Sequence, residues 1–269
     1  METQLITIDD ININVINNPN DAKWYAQRQV FEEKASFLYK LLGSEQYLNF
    51  VDVGANYGFI SLIAKRHNPN LNMLVIEADT RLCGLIEQNF TINAIKAPVI
   101  INAIAGAETI QDSSFSINPS GTLDNRVHMP AWEKISVPTV RVSDLIERYL
   151  PHGKTFIKID TQGFEREVLK GLYPFLCSNN NWTIKMEFAP NWLKSQNTDP
   201  LELLTYLGRE FEIAEMPARI RFNTPTIASL FDKKLSPIQF PAFLNYVTSL
   251  NRSSLGWVDL LVRPTSPSA

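Results

Sequence analysis

The chain has 269 residues, 45% of them hydrophobic, and a formal net charge of −3 at pH 7. That length suits one large α/β domain with extras, or two small domains, and the charge balance gives no global basic field to hold nucleic acid. No apolar run approaches the roughly 18 residues of a membrane span, and Met1-Glu2-Thr3-Gln4 lacks a signal-peptide pattern, so a soluble cytoplasmic protein is expected.

Residues 4–17 alternate loosely, and Asp9-Asp10 between the two apolar runs predicts a small hairpin. Asn18-Pro19-Asn20-Asp21 breaks the chain and offers helix caps. Trp24, Phe31, Ala35, Leu38 and Leu42 then recur at helical spacing, with Gly43 closing the helix. Packing against a sheet explains this stripe, and a share in covering a ligand is secondary. From residue 48 strands and helices alternate. Strands are predicted at Leu48–Val53, Met73–Glu77, Val99–Asn102, Phe156–Asp160 and Trp182–Phe188. Helices are predicted over Gly58–His67, after a Thr80 or Asp79 cap, over Asp144–Tyr149 behind a Ser143 cap, and from Phe164 to Lys170 with a stop at Gly171. A further helix starts at Asp199-Pro200 and ends at Gly208. Residues 108–140 read as a loop or hairpin insertion, and Phe211–Ala214 and Trp257–Val262 as a last pair of strands. This alternation predicts a doubly wound, mostly parallel seven-stranded sheet with an antiparallel edge. Residues 215–256 are long, aromatic and without a clean period, which suggests a functional excursion.

Val51-Asp52-Val53-Gly54-Ala55-Asn56-Tyr57-Gly58-Phe59 joins an apolar strand to an amphipathic helix through a glycine turn. Such a turn presents backbone N–H groups at the carboxyl edge of a sheet, a site for a nucleotide-bearing cofactor. Asn56 and Phe59 stand where a dinucleotide fingerprint needs glycine. Glu77 ends the next strand and can accept hydrogen bonds from ribose hydroxyls, unless it is a solvated strand-end acid. Asn102 and Ala103 can read an adenine edge and pack on its ring, although Asn at a strand end also serves turn chemistry.

Asp-x-Gly-x-x-x-Gly at 52–58 resembles the first motif of class I methyltransferases. Ile157-Lys-Ile-Asp-Thr-Gln-Gly-Phe-Glu-Arg-Glu-Val-Leu-Lys-Gly171 makes the resemblance specific: it is similar to the signature of the FkbM family of methyltransferases. Ile76-Glu-Ala-Asp, Val140-Arg-Val-Ser-Asp-Leu and Met186-Glu-Phe-Ala-Pro occur in the family's order, so the likeness spans roughly residues 45–210 plus Val258-Asp-Leu-Leu. Where the family usually has Asp-x-Glu-Gly, this chain has Asp160-Thr161-Gln162-Gly163, which removes a charge.

The resemblance implies S-adenosylmethionine as donor and O-methylation of a small molecule or glycan, with N-methylation of side-chain amides in a modified peptide as the alternative. A non-catalytic nucleotide-binding protein on the same fold is the reading from another class. Cofactor contacts are assigned to Asp52, Gly54, Asn56, Tyr57, Gly58 and Phe59 in the turn. Glu77, Ala78, Asn102, Ala103, Asp160 and Gln162 complete the set. Asp160 and Glu187, at the ends of neighbouring strands, are the candidate catalytic carboxylates; each could instead be a cap or an ion-pair partner. Arg219, Arg221 and His128 are candidate acceptor contacts. No histidine pair has metal-ligand spacing, and Cys83 and Cys177 read as reduced core thiols, so no metal is expected. The expected organisation is a single methyltransferase domain over 1–269. It comprises a hairpin-and-helix extension (1–44), the cofactor-binding core (45–214), a substrate-covering insertion (215–256), and the last strand and tail (257–269). Gly54→Val is expected to abolish cofactor binding in a folded chain. Oligomeric state is not legible from the sequence.

Overall fold

A computed structural model describes residues 1–8, 10–27, 42, 46–216, 227–250 and 256–265. β1 (Thr3–Ile8) and β2 (Ile11–Ile16) form the antiparallel hairpin, and α1 (Pro19–Gln27) follows it. Phe31, Ala35, Leu38 and Gly43 of the expected helical stripe lie outside the described residues.

The main sheet contains β3 (Asn49–Val53), β4 (Asn72–Glu77), β5 (Val99–Asn102), β9 (Thr155–Ile159), β10 (Trp182–Phe188), β11 (Phe211–Met216) and β12 (Val258–Pro264). Its seven strands run in the order β11-β12-β10-β9-β3-β4-β5. β3, β4, β5, β9 and β10 are parallel, and β12 is antiparallel to both β10 and β11. The last two strands therefore form the edge hairpin, with the reversed strand one place in from the edge. Strand order turns around between β3 and β9, so a crevice opens at their carboxyl ends.

Alternate strand residues feed two apolar layers, as expected of a parallel sheet covered on both faces. Phe50, Val75 and Phe156 pack with α2 (Phe59–His67), α3 (Thr80–Ile92) and the N-terminal hairpin. Val51, Ile76, Ile157 and Ile184 pack with α4 (Val142–Tyr149), α5 (Glu165–Ser178), α7 (Pro200–Glu210) and α8 (Phe240–Ser249). A three-stranded sheet of β6 (Ile104–Ala105), β7 (Ile110–Ile117) and β8 (Glu133–Val140) forms the insertion. α6 (Pro190–Ser195) follows β10 directly.

Two glycines read as helix stops lie inside helices. At Gly171 a Cβ would come 2.0 Å from the Gly106 carbonyl oxygen, so the glycine serves close packing and α5 runs on to Ser178, through Pro174. At Gly208 a Cβ would sit 2.5 Å from the Phe240 ring, and α7 continues to Glu210. One cap differs from expectation and one falls on Asp79 of the two candidates. α4 starts one residue after Arg141 rather than at a Ser143 cap, and α3 is capped by Asp79, whose carboxylate accepts from Arg81 N at 3.0 Å. Cys177 is exposed, not a core thiol.

The N-terminal hairpin is held by two amides one helical turn apart on α3. Asn89 accepts from Asn14 N at 2.6 Å and donates to Asn14 O at 3.2 Å. Asn93 accepts from Asn12 N at 2.9 Å and donates to Asn12 O at 2.6 Å. The edge of β2 is thus paired by side chains instead of another strand, which satisfies its backbone and fixes where α1 begins.

Candidate functional site

The turn after β3 is pinned at three points. Gly54 N donates to Ile76 O at 3.0 Å, Gly54 O accepts from Lys158 Nζ at 2.9 Å, and Asn56 N donates to Glu77 Oε2 at 2.7 Å. Glu77 Oε1 accepts from Asp79 N at 2.8 Å, so one carboxylate joins the turns after β3 and β4. Each of its oxygens keeps a free lone pair for a ligand hydroxyl. Burial pushes the Glu77 carboxyl up to about 7, and the two backbone donors oppose that rise.

A cavity of about 290 Å³ lies along the carboxyl ends of β3, β4, β9 and β10. The candidates Gly54, Asn56, Phe59, Glu77, Ala78, Ala103, Asp160, Gln162 and Glu187 all line it. At the Glu77 end its wall is apolar, with Ala103, Ile104, Ala105 and Phe115. At the Glu187 end it is polar and aromatic, with Asp160, Gln162, Lys185, Trp192, Trp257 and Asp259.

Five candidates are not among its lining residues. Asp52 is fully buried under the sheet end, where it accepts from Lys158 Nζ at 2.9 Å and Ser61 Oγ at 2.7 Å; its role is to neutralise the buried lysine. Tyr57 is also fully buried, with its hydroxyl on Asp21 at 2.6 Å. Gly58 faces Ile86 and begins α2. Asn102 spends its amide on the carbonyls of Glu77 and Ala78, both at 3.0 Å, and so staples β5 to the turn after β4. His128 is exposed and packs edge-on against Phe164. Arg219 and Arg221 lie outside the described residues.

Of the expected cover at 215–256, residues 217–226 and 251–255 lie outside the described residues. In the described part of 215–256, Phe240, Phe243 and Val247 are buried in the core beside α7, and none of these residues lines the cavity. Among the described residues, walls come from Trp24 and Tyr25 of α1, from residues 122–125 and Val127 of the insertion, and from Trp192 of α6. Sheet packing does not account for Trp24, which is 39% exposed and lines the cavity. No local signal separates it from a packing residue, because the hairpin decides where the helix lies.

The polar end is organised by Gln162, which has a left-handed backbone (φ 56). Its Nε2 donates to Asp160 Oδ1 at 3.0 Å and Glu187 Oε2 at 3.5 Å. Two acceptor carboxylates fix the amide's orientation, and its Oε1 is left buried with no hydrogen-bond partner. Burial, then the negative charges of Asp160, Glu165 and Asp259, hold the Glu187 carboxyl well above the usual carboxylate range. Burial pushes the Lys158 ammonium down, but Asp52 and Asp160 outweigh it and the net direction is up. Lys185 pairs with Asp259 at 2.7 Å. Among the described residues no group of His, Cys, Asp and Glu side chains could hold a metal ion.

The sheet order β5-β4-β3-β9-β10-β12-β11, with a glycine turn and a strand-end acid at the crevice, is that of the class I methyltransferase fold. The family model for the methyltransferase FkbM domain matches residues 52–214, and the chain belongs to that family. A methyltransferase of Sordaria araneosa, sdnD, is 24% identical over 189 residues, covering 52% of this chain and 69% of that protein. The plantazolicin methyltransferase BamL, solved with a triazolic desmethylPZN analog and SAH, superimposes with a TM-score of 0.49 at 10% identity, covering 92% of each chain. A precorrin-6y C5,15-methyltransferase from Geobacter metallireducens GS-15 gives a TM-score of 0.42 at 12% identity, covering 86% of this chain and 87% of that one.

The protein is thus an S-adenosylmethionine-dependent methyltransferase that acts on an acceptor of some kind. The cavity's chemistry fits that donor. An apolar slot beside a carboxylate suits an adenosine, and at the other end the unpartnered Gln162 Oε1 would accept from the donor's ammonium. When bound, the sulfonium supplies an already activated methyl group. The chain's task is to bind, align and exclude water. No helix among the described residues is long and apolar enough to cross a membrane.

Proposed function

We propose that the chain methylates a hydroxyl of a neutral small molecule or glycan, with Glu187 as the proton acceptor. The observation that carries this reading is a buried carboxylate of raised pKa on the cavity wall, beside Asp160. A base poised above the ordinary carboxylate range is what a hydroxyl acceptor needs near neutral pH. The O–CH3 bond forms as the S–CH3 bond breaks, and the hydroxyl proton passes to Glu187. Asp160 stays beside it, held by Gln162 and by Lys158 at 3.7 Å.

The acceptor's neutrality is supported by the cations among the described lining residues. Lys158 pairs with Asp52 and Lys185 with Asp259, so neither offers a free charge to an anion. Trp192 and Trp257 supply flat apolar walls of the kind that sugar rings and other neutral acceptors pack on. The cytoplasmic assignment is supported by Cys83 and Cys177 being free thiols. Incubation with methyl-labelled S-adenosylmethionine and a panel of neutral sugars, phosphorylated or carboxylated analogues, and amide-bearing peptides tests the acceptor class. An ether product on a neutral acceptor supports the reading. Transfer confined to amide nitrogen or to anionic acceptors overturns it.

Glu77 is proposed to hold the ribose hydroxyls. Glu77→Ala is expected to weaken S-adenosylmethionine binding by about 1.5–3 kcal/mol in calorimetry, the scale of hydrogen bonds to a charged acceptor. Its titration gives a second readout. The folded chain without donor retains a proton on Glu77 that the unfolded chain releases, between the ordinary 4.5 and about 7. Stability falls as pH rises through that window, and Glu77→Gln should flatten this component of the slope in urea melts.

A further inference from the structure

Asp21, in the first turn of α1, is fully buried and outside the family match at 52–214. Its carboxylate gathers donors from three separate parts of the chain. Oδ2 accepts from Tyr57 Oη at 2.6 Å, from Asn18 Nδ2 at 2.8 Å and from Thr122 Oγ1 at 2.9 Å, and Oδ1 accepts from Thr122 N at 3.0 Å. Tyr57 Oη in turn accepts from Ile16 N at 3.1 Å. Burial, then the Asp21 carboxylate, pushes the Tyr57 hydroxyl far up, so it remains a donor.

A second set of bonds runs alongside through Asn56, the neighbour of Tyr57. Asn56 Oδ1 accepts from Tyr25 Oη at 3.0 Å, and Asn56 Nδ2 donates to Thr122 Oγ1 at 3.1 Å. Its backbone N–H is the one held by Glu77. Tyr25, Asn56 and Thr122 all line the cavity. The helix and the insertion loop that close the Glu77 end are therefore fastened to the glycine turn itself, and Asp21 accepts hydrogen bonds from both Tyr57 and Thr122.

We propose that Asp21 is a positioning residue for cofactor retention: it latches α1 and the Thr122 loop to the glycine turn, and the closed wall slows escape of S-adenosylmethionine. This rests on the reading of the Glu77 end as the cofactor site. With the latch intact, the bound nucleoside is shielded by Tyr25 and the loop; with it broken, both walls keep their own secondary structure and are joined to the turn by the Asn56 bonds alone. A charge-assisted cluster of this kind is worth more than its single bonds, so its loss should be felt at the ligand.

The test measures S-adenosylmethionine affinity by calorimetry and S-adenosylhomocysteine dissociation by rapid dilution. It uses the full chain carrying Asp21→Ala, Tyr57→Phe or Glu77→Ala, at a temperature where each variant is folded. Asp21→Ala is expected to raise Kd about tenfold, mostly through faster dissociation. Tyr57→Phe, which keeps the ring and removes one O–H, should raise it about threefold. If Asp21→Ala does not fold, Tyr57→Phe decides. Lowered melting temperature with unchanged Kd and dissociation rate would mean a structural anchor only and overturns the proposal. Weakened binding in Glu77→Ala with none in the latch variants removes the latch alone. No effect in any of the three removes the cavity assignment as well.

Discussion

Glu187→Gln is expected to slow methyl transfer by about 10²–10⁴-fold, the usual contribution of a positioned general base, while the chain still binds S-adenosylmethionine. Glu187 stands near the end of β10, opposite Asp259 in the β12 register and joined to Asp160 through Gln162. Gln keeps the shape and one acceptor oxygen but cannot take the hydroxyl proton. The pH profile carries the same argument with a sign. Burial, then Asp160, Glu165 and Asp259, favours the protonated form of Glu187, and only the ionised form can act as base. Single-turnover rates should therefore rise with pH through a limb placed above the ordinary carboxylate range. Asp160→Asn removes a negative neighbour and should move that limb to lower pH. Stability follows the opposite slope. The folded chain holds a proton that the unfolded chain has released, so folding weakens as pH rises from 4.5 through the raised value. A full rate in Glu187→Gln, or a limb at the ordinary carboxylate pKa, would remove Glu187 from the reaction.

What the sequence made legible follows from where its information is local. Each parallel strand is a short apolar run with a glycine or polar residue at or next to its end, which places Gly54, Glu77, Asp160 and Glu187 at one sheet edge. All four line the cavity. A motif is not itself a set of contacts. Within the glycine turn, Asn56 and Phe59 face the cavity, while Tyr57 and Gly58 face the core side, because a turn with left-handed residues at Gly54, Asn56 and Gly58 reverses side-chain direction within single steps. Asp52 carried a signal that could have been used. It and Lys158 are opposite charges inside apolar strands, and adjacent parallel strands place them side by side. A buried carboxylate needs such a partner more than it needs a ligand. Tyr25, Thr122, Trp192 and Trp257 could not be found locally. They reach the cavity from segments whose placement is set by distant contacts, such as Asn89 and Asn93 holding the edge of β2.

Gly54→Val is expected to destabilise the whole fold, which replaces the expectation of a folded chain without cofactor. Gly54 has φ +73, a backbone state that a β-branched residue adopts only under strain. A Cβ there would lie 2.0 Å from the Asp160 carbonyl oxygen. That oxygen belongs to backbone at the end of β9, whose neighbour bond, Asp160 N to Val53 O at 3.1 Å, continues the β3–β9 ladder. Neither strand end can retreat without breaking the pairing that places Lys158 on Gly54 O. Left-handed strain and the clash together cost about 2–6 kcal/mol, a large share of the roughly 5–15 kcal/mol that holds a domain folded. Gly54→Ala introduces the same Cβ and should fail in the same way, so side-chain bulk toward the cofactor is not the cause. Gly84 is the control: it lies inside α3 with nothing within 4 Å of a built Cβ. Gly84→Ala should stabilise by about 0.5–1 kcal/mol, the helix-interior difference between the two residues. Urea melts of the three variants decide the matter. A Gly54→Ala midpoint equal to that of the parent would mean that the β3 and β9 ends move apart freely, and the constriction at the switch point would lose its structural meaning.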